Sequence, residues 1–450
     1  MNPTTAQRKA RRVPLTSVAG LLVATALIGQ ILGFMRTKLI NANFNTPLTP
    51  PGQNAGVYFA AFSIPDFFFY TIAAGALGVA FMPYLSDRLH KGDRRGVWEL
   101  SASLLNLLAM IMAVVAVIII IFAEPLIHYV VAPGLDNDQL RNAATLMRFL
   151  ALNPLLFTIS GILTSTQQTM GRFFFYAIAP LFYNLTIIIS IYVFRHNIGI
   201  VGLGIGALIG AVLQLIVVII GSKRLDFHWH PKILWKNTEF RSMLKQLPPR
   251  SLDQGMDQIQ SVVETNFASN PALGGATAIS NYSNAYVLHT APILLIGTAI
   301  STAAFPRLNQ RLSQGRPDLF RKDFLMILRA MIWLTLPVIV FCFFTRGYLA
   351  RLIFTNNNSD IALIFGFLTV AIFFRVLYAI ISRWFYAQKD SITPLLVSVF
   401  TIGFNVYLAW RLSQPSAYGV SGLALAQSIV AACEVVILMI DAGARPSCSI

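Results

Sequence analysis

From Leu104 to Ala123 the chain runs for twenty residues without a charged side chain. A helix of that length rises about 30 Å, the thickness of a bilayer's hydrocarbon core. Comparable runs recur along all 450 residues, of which 12% are charged; a soluble domain carries about 25%. Only helices and closed barrels satisfy every backbone group in lipid, and continuous rather than alternating apolar runs specify helices. The expected fold is therefore an all-α membrane protein. About twelve transmembrane helices are expected, at 15–40, 56–84, 98–123, 143–168, 173–195, 199–221, 246–270, 279–305, 323–345, 361–384, 392–411 and 418–441. The second and eighth contain Pro65 and Pro292, which bend helices around cavities.

Charge placement orients these spans. With the N-terminus inside, the inner segments hold 23 of the 34 Lys and Arg, and the outer loops hold Arg141, Arg195, Arg346, Arg351 and Arg411. This is a positive-inside signature. The net charge of +16 then reports topology and attraction to anionic lipid rather than nucleic-acid binding. The basic start, Arg8-Lys9-Ala10-Arg11-Arg12, precedes an apolar run too long for a cleaved signal and reads as a retained first helix. Cys342, Cys433 and Cys448 have neither metal nor redox spacing.

A short turn occurs twice. Pro83, Leu85, Arg88, Leu89 and Gly92 recur as Pro306, Leu308, Arg311, Leu312 and Gly315. Gly199-Ile-Val-Gly202-Leu-Gly204 is echoed by Gly419-Val-Ser-Gly422-Leu-Ala424, and Asn184 more loosely by Asn405. Self-similarity over so long an offset implies two copies of one folded half. Six spans per copy give both the same orientation, so the copies are parallel repeats, as in two-lobed transporters with the site between the lobes. The expected organisation is a basic cytosolic N-terminus at 1–14, an N-lobe at 15–221, a cytosolic amphipathic linker at 222–245, a C-lobe at 246–441 and a tail at 442–450. The linker carries Phe227, Trp229, Trp235 and Phe240 among six basic residues, the composition of an interfacial helix. His228 and His230 there could bind metal, but without further ligands aromatic anchoring is the default and no metal site is expected.

Charges inside spans cost a few kcal/mol at the bilayer centre and mark function. Arg36 either snorkels or faces an inner cavity, whereas Lys38 snorkels. Asp66 is a cavity acid, a partner for Arg36, or a cap at the Pro65 bend. Asp253, Asp257 and Glu264 fall near one face of span seven, where they could hold Na⁺ or H⁺ as a coupling ion. Arg250 opens that span at the interface. Arg375 and Glu434 can pair. His289, alone near Pro292, reads as a packed residue. No phosphate loop, zinc spacing or nucleophile elbow is present, so no enzyme and no cofactor is expected.

Gly33-Phe-Met-Arg36, Tyr58-Phe-Ala-Ala-Phe62-Ser-Ile64-Pro65-Asp66 and Ala74-Gly75-Ala-Leu-Gly-Val-Ala80-Phe81-Met-Pro83 resemble the opening of the MurJ (MviN) lipid II flippases of the multidrug/oligosaccharidyl-lipid/polysaccharide exporter superfamily. Pro249-Arg250 with Gln258, Phe267-Ala268-Ser269, Gly297-Thr-Ala-Ile-Ser301-Thr-Ala-Ala-Phe305-Pro306 and Phe385-Tyr386-Ala387-Gln-Lys389-Asp390-Ser-Ile-Thr393-Pro394 extend the likeness over nearly the whole chain. The resemblance implies a V-shaped two-lobed transporter and alternating access that moves an undecaprenyl-pyrophosphate-linked muropeptide between leaflets of a bacterial cytoplasmic membrane. It implies a substrate cavity drawn from Arg36, Asp66, Gln30, Arg250, Gln258 and Asn284. The expected partners are a lipid-linked oligosaccharide and membrane lipids, and the expected state is a monomer.

The chain also departs from that pattern. Gln30 stands where an arginine is usual, Phe68 and Phe69 where basic residues are usual, Ala74 where a glutamate is usual, and Tyr286-Val287 where an Asp-Arg pair is usual. The cationic cavity is thereby thinned and the acidic stripe of span seven strengthened. This keeps open a cation-coupled exporter of small molecules or of another lipid-linked oligosaccharide, and, from the lost charges, a non-transporting scaffold. The family commonly has fourteen helices; this sequence is read as stopping after twelve, with a truncated or frame-shifted end as an alternative to a natural one.

Overall fold

The computed structural model describes residues 15–46, 48–74, 81–223, 225, 229–354, 358–388, 390 and 392–444, with side chains described apart from those of 15–19, 51, 74, 83, 246 and 248–254. Among these residues there are helices and turns and no strand. The helices are α1 (Leu15–Phe44), α2 (Ala55–Phe68), α3 (Met82–His90), α4 (Arg94–Pro125), α5 (Asn137–Leu150), α6 (Asn153–Thr169), α7 (Phe174–Phe194) and α8 (Val201–Lys223). They continue as α9 (Thr238–Ala268), α10 (Ala276–Pro292), α11 (Ala299–Ser313), α12 (Pro317–Ile353), α13 (Asn358–Ala387), α14 (Ile392–Leu412) and α15 (Val420–Ala444).

Eleven stretches among the described residues are long and apolar enough to cross a membrane. The twelfth expected span lies in α9, which has the length, at 31 residues, but not the apolarity. Asp257, Glu264 and several amides interrupt it, and it packs against both halves of the bundle rather than lying wholly in lipid.

The duplicated sequence is a duplicated fold. Gly92 and Gly315 both take left-handed backbone, with φ of 75° and 66°, to end α3 and α11; glycine enters that region at little cost. The other echoed pair, Gly199 and Gly419, does the same at 68° and 58°. Both predicted breaks occur. Pro65 precedes a π-helical segment, Phe69–Ala74, and Pro292 another, Ile293–Thr298. A proline cannot continue the i→i−4 ladder, and the wider turn re-pairs the backbone groups it leaves. Small residues close the helix contacts in each copy. A side chain at Gly206 would strike Ser190 and one at Gly202 would strike Phe194, both on α7; one at Gly422 would strike the Leu412 carbonyl at the end of α14. Glycine here lets α8 lie against α7 as α15 lies against α14.

The segment expected to be an amphipathic linker helix is helical only from Thr238, where Asn237 caps α9 by accepting from Glu239 and Phe240 N–H. Before it, the chain lies as an extended strap on α4. Trp229 Nε1 donates to Asn106 Oδ1 (2.9 Å), and Asn106 Nδ2 donates to the His230 carbonyl (2.8 Å). Phe240 and Met243 are fully buried with Phe81, Leu85, Val97 and Leu100. Arg88 pairs with Glu239 at 2.6 Å. The start of α9 thus packs into the first half, where the sequence predicted a free interfacial helix. The expected basic N-terminus, His228 and the tail beyond Ala444 lie outside the described residues.

Candidate functional site

The first half packs α1 on α7, α4 on α6 and α2 on α5; the second packs α12 and α15 on α13 and α14 on α15. Between them runs a seam. One end of the bundle, here the basic end, carries Lys91, Arg94, Arg95, Arg311, Arg316 and Arg321. There α3 packs on α4 and α6, and α11 on α12 and α13, each within its own half.

The far end of the seam is sealed by neutral polar groups. Asn41 on α1 and Asn284 on α10 exchange amides, and Ser280 Oγ donates to Asn41 Oδ1 at 3.1 Å. Asn45 Nδ2 reaches Ser280 Oγ (3.2 Å) and Asn54 Nδ2 reaches Thr277 Oγ1 (3.1 Å). Asn266 on α9 donates to the Val130 carbonyl at 2.8 Å. Backbones also meet: a side chain on Gly56 would strike the Ala276 carbonyl, and one on Gly134 would strike that of Ser269. Each buried amide is satisfied across the seam, so parting the halves leaves both partners short unless water replaces them.

Below this seal on the first half lies Arg36. Its Nη1 donates to Asn184 Oδ1 at 2.9 Å, while its Nε is buried without a partner among the described residues. Tyr58, Tyr183 and Asp66 share its electrostatic surroundings. Asp66 is half-buried and makes no ion pair among the described residues, so the pairing weighed for Arg36 and Asp66 is not formed in this state. The echo that singled out Asn184 thus marks the residue that holds Arg36.

A second cluster lies in the other half. Arg375 on α13 donates to Glu434 on α15 (3.4 Å) and to Gln260 on α9 (3.3 Å), and stands 3.9 Å from Asp257. Gln260 Nε2 donates to Glu264 (2.8 Å), which is 3% exposed and also within reach of the Tyr282 hydroxyl. Ser398 completes the shell of Glu434 at 2.9 Å. Asp257 and Glu264 thus share a face of α9, as their spacing predicted, with a guanidinium among them. Among the described residues, no group of three or more His, Cys, Asp or Glu could hold a metal ion. The predicted pairing of Arg375 with Glu434 is present; Gln260 and Tyr282 carry no charge and no motif, and sequence reasoning missed them.

The other predicted residues fall as follows. Asn284 is fully buried in the seal rather than lining open space. Gln30 is exposed on α1, and Gln258 is half-buried on α9. The side chains of Arg250 and Asp253 lie outside the described residues. His289, read as packed, is 2% exposed beside Tyr286, with both ring nitrogens unpartnered among the described residues.

A family model described as "Lipid II flippase MurJ" matches residues 52–445. A probable lipid II flippase MurJ of Borreliella burgdorferi is 22% identical over 416 residues, covering 91% of this chain and 79% of the relative. One of Rhizobium tropici is 25% identical over 428 residues, covering 91% and 77%. Among solved structures, a lipid II flippase MurJ in an inward closed conformation superposes with a TM-score of 0.78 at 22% identity, covering 94% of this chain and 87% of that one. An inward-facing multidrug resistance MATE transporter of the MOP superfamily superposes at 0.76 with 14% identity, covering 92% and 96%.

Proposed function

The chain belongs to the lipid II flippase MurJ family, and we propose that it moves an undecaprenyl-pyrophosphate-linked muropeptide from the inner to the outer leaflet of a bacterial cytoplasmic membrane. The basic end is cytosolic by the positive-inside rule, which places the N-terminus inside and the amide seal at the outer face. The observation that carries the reading is the family match along residues 52–445, on a chain with eleven apolar spans among its described residues and a helix-lined seam.

The physics suits the task. A pyrophosphate cannot enter hydrocarbon bare, and a seam that supplies guanidinium and amide donors replaces its water while the polyprenyl tail stays among acyl chains. Arg36, oriented by Asn184, is the fixed cation on the first half; its unpartnered Nε leaves a donor to spare. Asp66 beside it disfavours an anion unless protonated or turned away, which gives the cavity a means of release. Gln30, Gln258 and Arg250 complete the proposed lining, and Asn284 joins it when the seal parts. The chain acts as a carrier rather than an enzyme, and as a monomer.

Coupling falls to the second cluster. Arg375 already occupies the space between Asp257 and Glu434, and among the described residues no group of three or more His, Cys, Asp or Glu could hold a metal ion. That set suits a proton carried on Glu264 rather than Na⁺. A cation-coupled exporter of another substrate is the second reading, favoured by the same buried Glu264.

Complementation of a flippase-depleted cell tests the choice. The wild-type chain is expected to restore growth, Arg36→Ala to abolish it at equal expression, and Arg36→Lys to restore it in part, since a point charge lacks the planar fork. Failure of the wild-type chain, together with small-molecule export that Glu264→Gln uncouples from pH, would sink the first reading in favour of the second.

A further inference from the structure

Two of the five outer-loop cations sit together at one place. At the far end of α12, Arg346, Tyr348 and Arg351 face Ser359 and Leu363 of α13 across a cleft of about 470 Å³. Arg346 does not reach for headgroup water as a snorkelling side chain would. It folds over Gly366 of α13, donates Nη1 to the Phe343 carbonyl at 2.6 Å and stacks 4.5 Å from the Phe343 ring. Its guanidinium is thereby held in place with donors to spare. Arg351, one turn further out, has no hydrogen bond or ion pair among the described residues. The acid nearest in sequence, Asp360, is approached by Asn281 at 3.5 Å. Lys38 of α1 adds a third cation beside the cleft, donating to the Leu352 carbonyl at 3.0 Å.

The rim is apolar. Phe344 and Tyr348 are each 75% exposed, Leu352 70% and Leu363 54%. A pair of guanidinium groups, Arg346 partly buried and Arg351 exposed, in an open cleft edged by bare aromatic and aliphatic surface at the membrane boundary, fits a doubly charged phosphate group on a long hydrocarbon chain.

The geometry points to this cleft as an outer-leaflet docking site for the pyrophosphate of a polyprenyl carrier. Its two charges meet Arg346 and Arg351, its tail lies along Tyr348 and Leu363, and its sugar projects outward. The assignment rests on the flippase reading for its direction. Lys38 ties the cleft to α1, which also carries Arg36, so the substrate's first cation and its proposed departure site share one helix.

The test is native mass spectrometry of the purified full chain with undecaprenyl pyrophosphate as probe, in the Arg36→Ala background to silence the central site. One lipid is expected to stay bound per chain. Arg346→Gln with Arg351→Gln should weaken retention about tenfold or more, roughly one charge-assisted contact's worth, and the paired Lys variants should retain an intermediate amount and confirm that the chain folds. Equal retention in the Gln pair overturns the site. Displacement by equimolar phosphatidylglycerol overturns its preference for the carrier, and displacement by inorganic pyrophosphate overturns the role of the tail. Complementation is scored separately with Arg36 intact: loss of retention in the Gln pair while the chain with Arg36 fails to complement supports the cleft and counts only against the transport reading, and unchanged retention while the chain with Arg36 complements does the reverse.

Discussion

Asn41 and Asn284 exchange hydrogen bonds in both directions across the seam, Asn41 Nδ2 to Asn284 Oδ1 at 2.9 Å and Asn284 Nδ2 to Asn41 Oδ1 at 2.7 Å. The two residues are 243 positions apart and come from different halves. Truncating either leaves the other's buried amide short, a cost of about 1–3 kcal/mol to this closed state. Asn41→Ala and Asn284→Ala should each shift the population toward a parted seam by roughly tenfold or more. The double variant should shift it by much less than the product. Spin-label distances across the seam read this, and strict additivity would show that the pair does not hold the halves together.

Gly56 and Gly134 meet backbone rather than side chains across the seam, and backbone cannot swing aside. Gly56→Ala and Gly134→Ala should therefore exclude the sealed state while leaving each half intact. The expected outcome is labelling by a membrane-impermeant thiol reagent, from outside the cell, of a cysteine placed at Ser280. Protection equal to that of the parent would refute it.

Asp323, at the start of α12, is held by both Arg307 (2.9 Å) and Arg311 (3.0 Å), with its side chain 10% exposed. Arg95 and Glu99 form an exposed i,i+4 pair. Asp323→Asn should lower the thermal midpoint by the equivalent of about 1–3 kcal/mol, whereas Arg95→Ala should fall within about 0.5 kcal/mol of wild type. A thermal-shift series in detergent checks both, and a ranking in the opposite order would contradict the geometry.

Arg375 and Glu434 lie where an unpaired charge is costly. Removing one partner of a buried pair destabilises by about 3–5 kcal/mol. Arg375→Gln should be more damaging to folded yield than Arg375→Gln with Glu434→Gln, in which the buried Glu434 carboxylate is not left without its cation. Equal yields of single and double variants would mean that Ser398, which donates to Glu434 at 2.9 Å, already satisfies what remains.

What could be foreseen follows from how strongly each feature is encoded. The prolines at 65 and 292, the left-handed glycines at 92 and 315, and the apolar runs each impose a backbone consequence on their own, and each was legible. So was the shared face of Asp257 and Glu264, since helical spacing settles it. Asn184 was noticed only as an echo of Asn405, although it holds Arg36; Asn405 itself is buried with its amide unpartnered among the described residues. The seal was illegible because asparagine and serine carry no charge and no periodicity. Their role depends on which helices face each other, and no local pattern states that. Asn284 was assigned to the cavity on its type, and packing placed it in the seal. The linker was misjudged for a related reason: its aromatic and basic content suits a membrane surface, but Phe240 and Met243 found a protein surface of the same chemistry first.

The helix from Thr238 to Ala268 is fastened to the first half near both of its ends. Its first turns are clasped by Arg88 and the buried apolar cluster around Phe240 and Met243, and its last turn is tied through Asn266 to Val130, in the π-helical segment that continues α4. Pro248 and Pro249 stand between the two attachments, and each withdraws a rung from the i→i−4 ladder, so the helix can flex there rather than act as one rod. The end that joins the amide seal can then swing while the Arg88 clasp stays shut, the bend being taken up at the paired prolines.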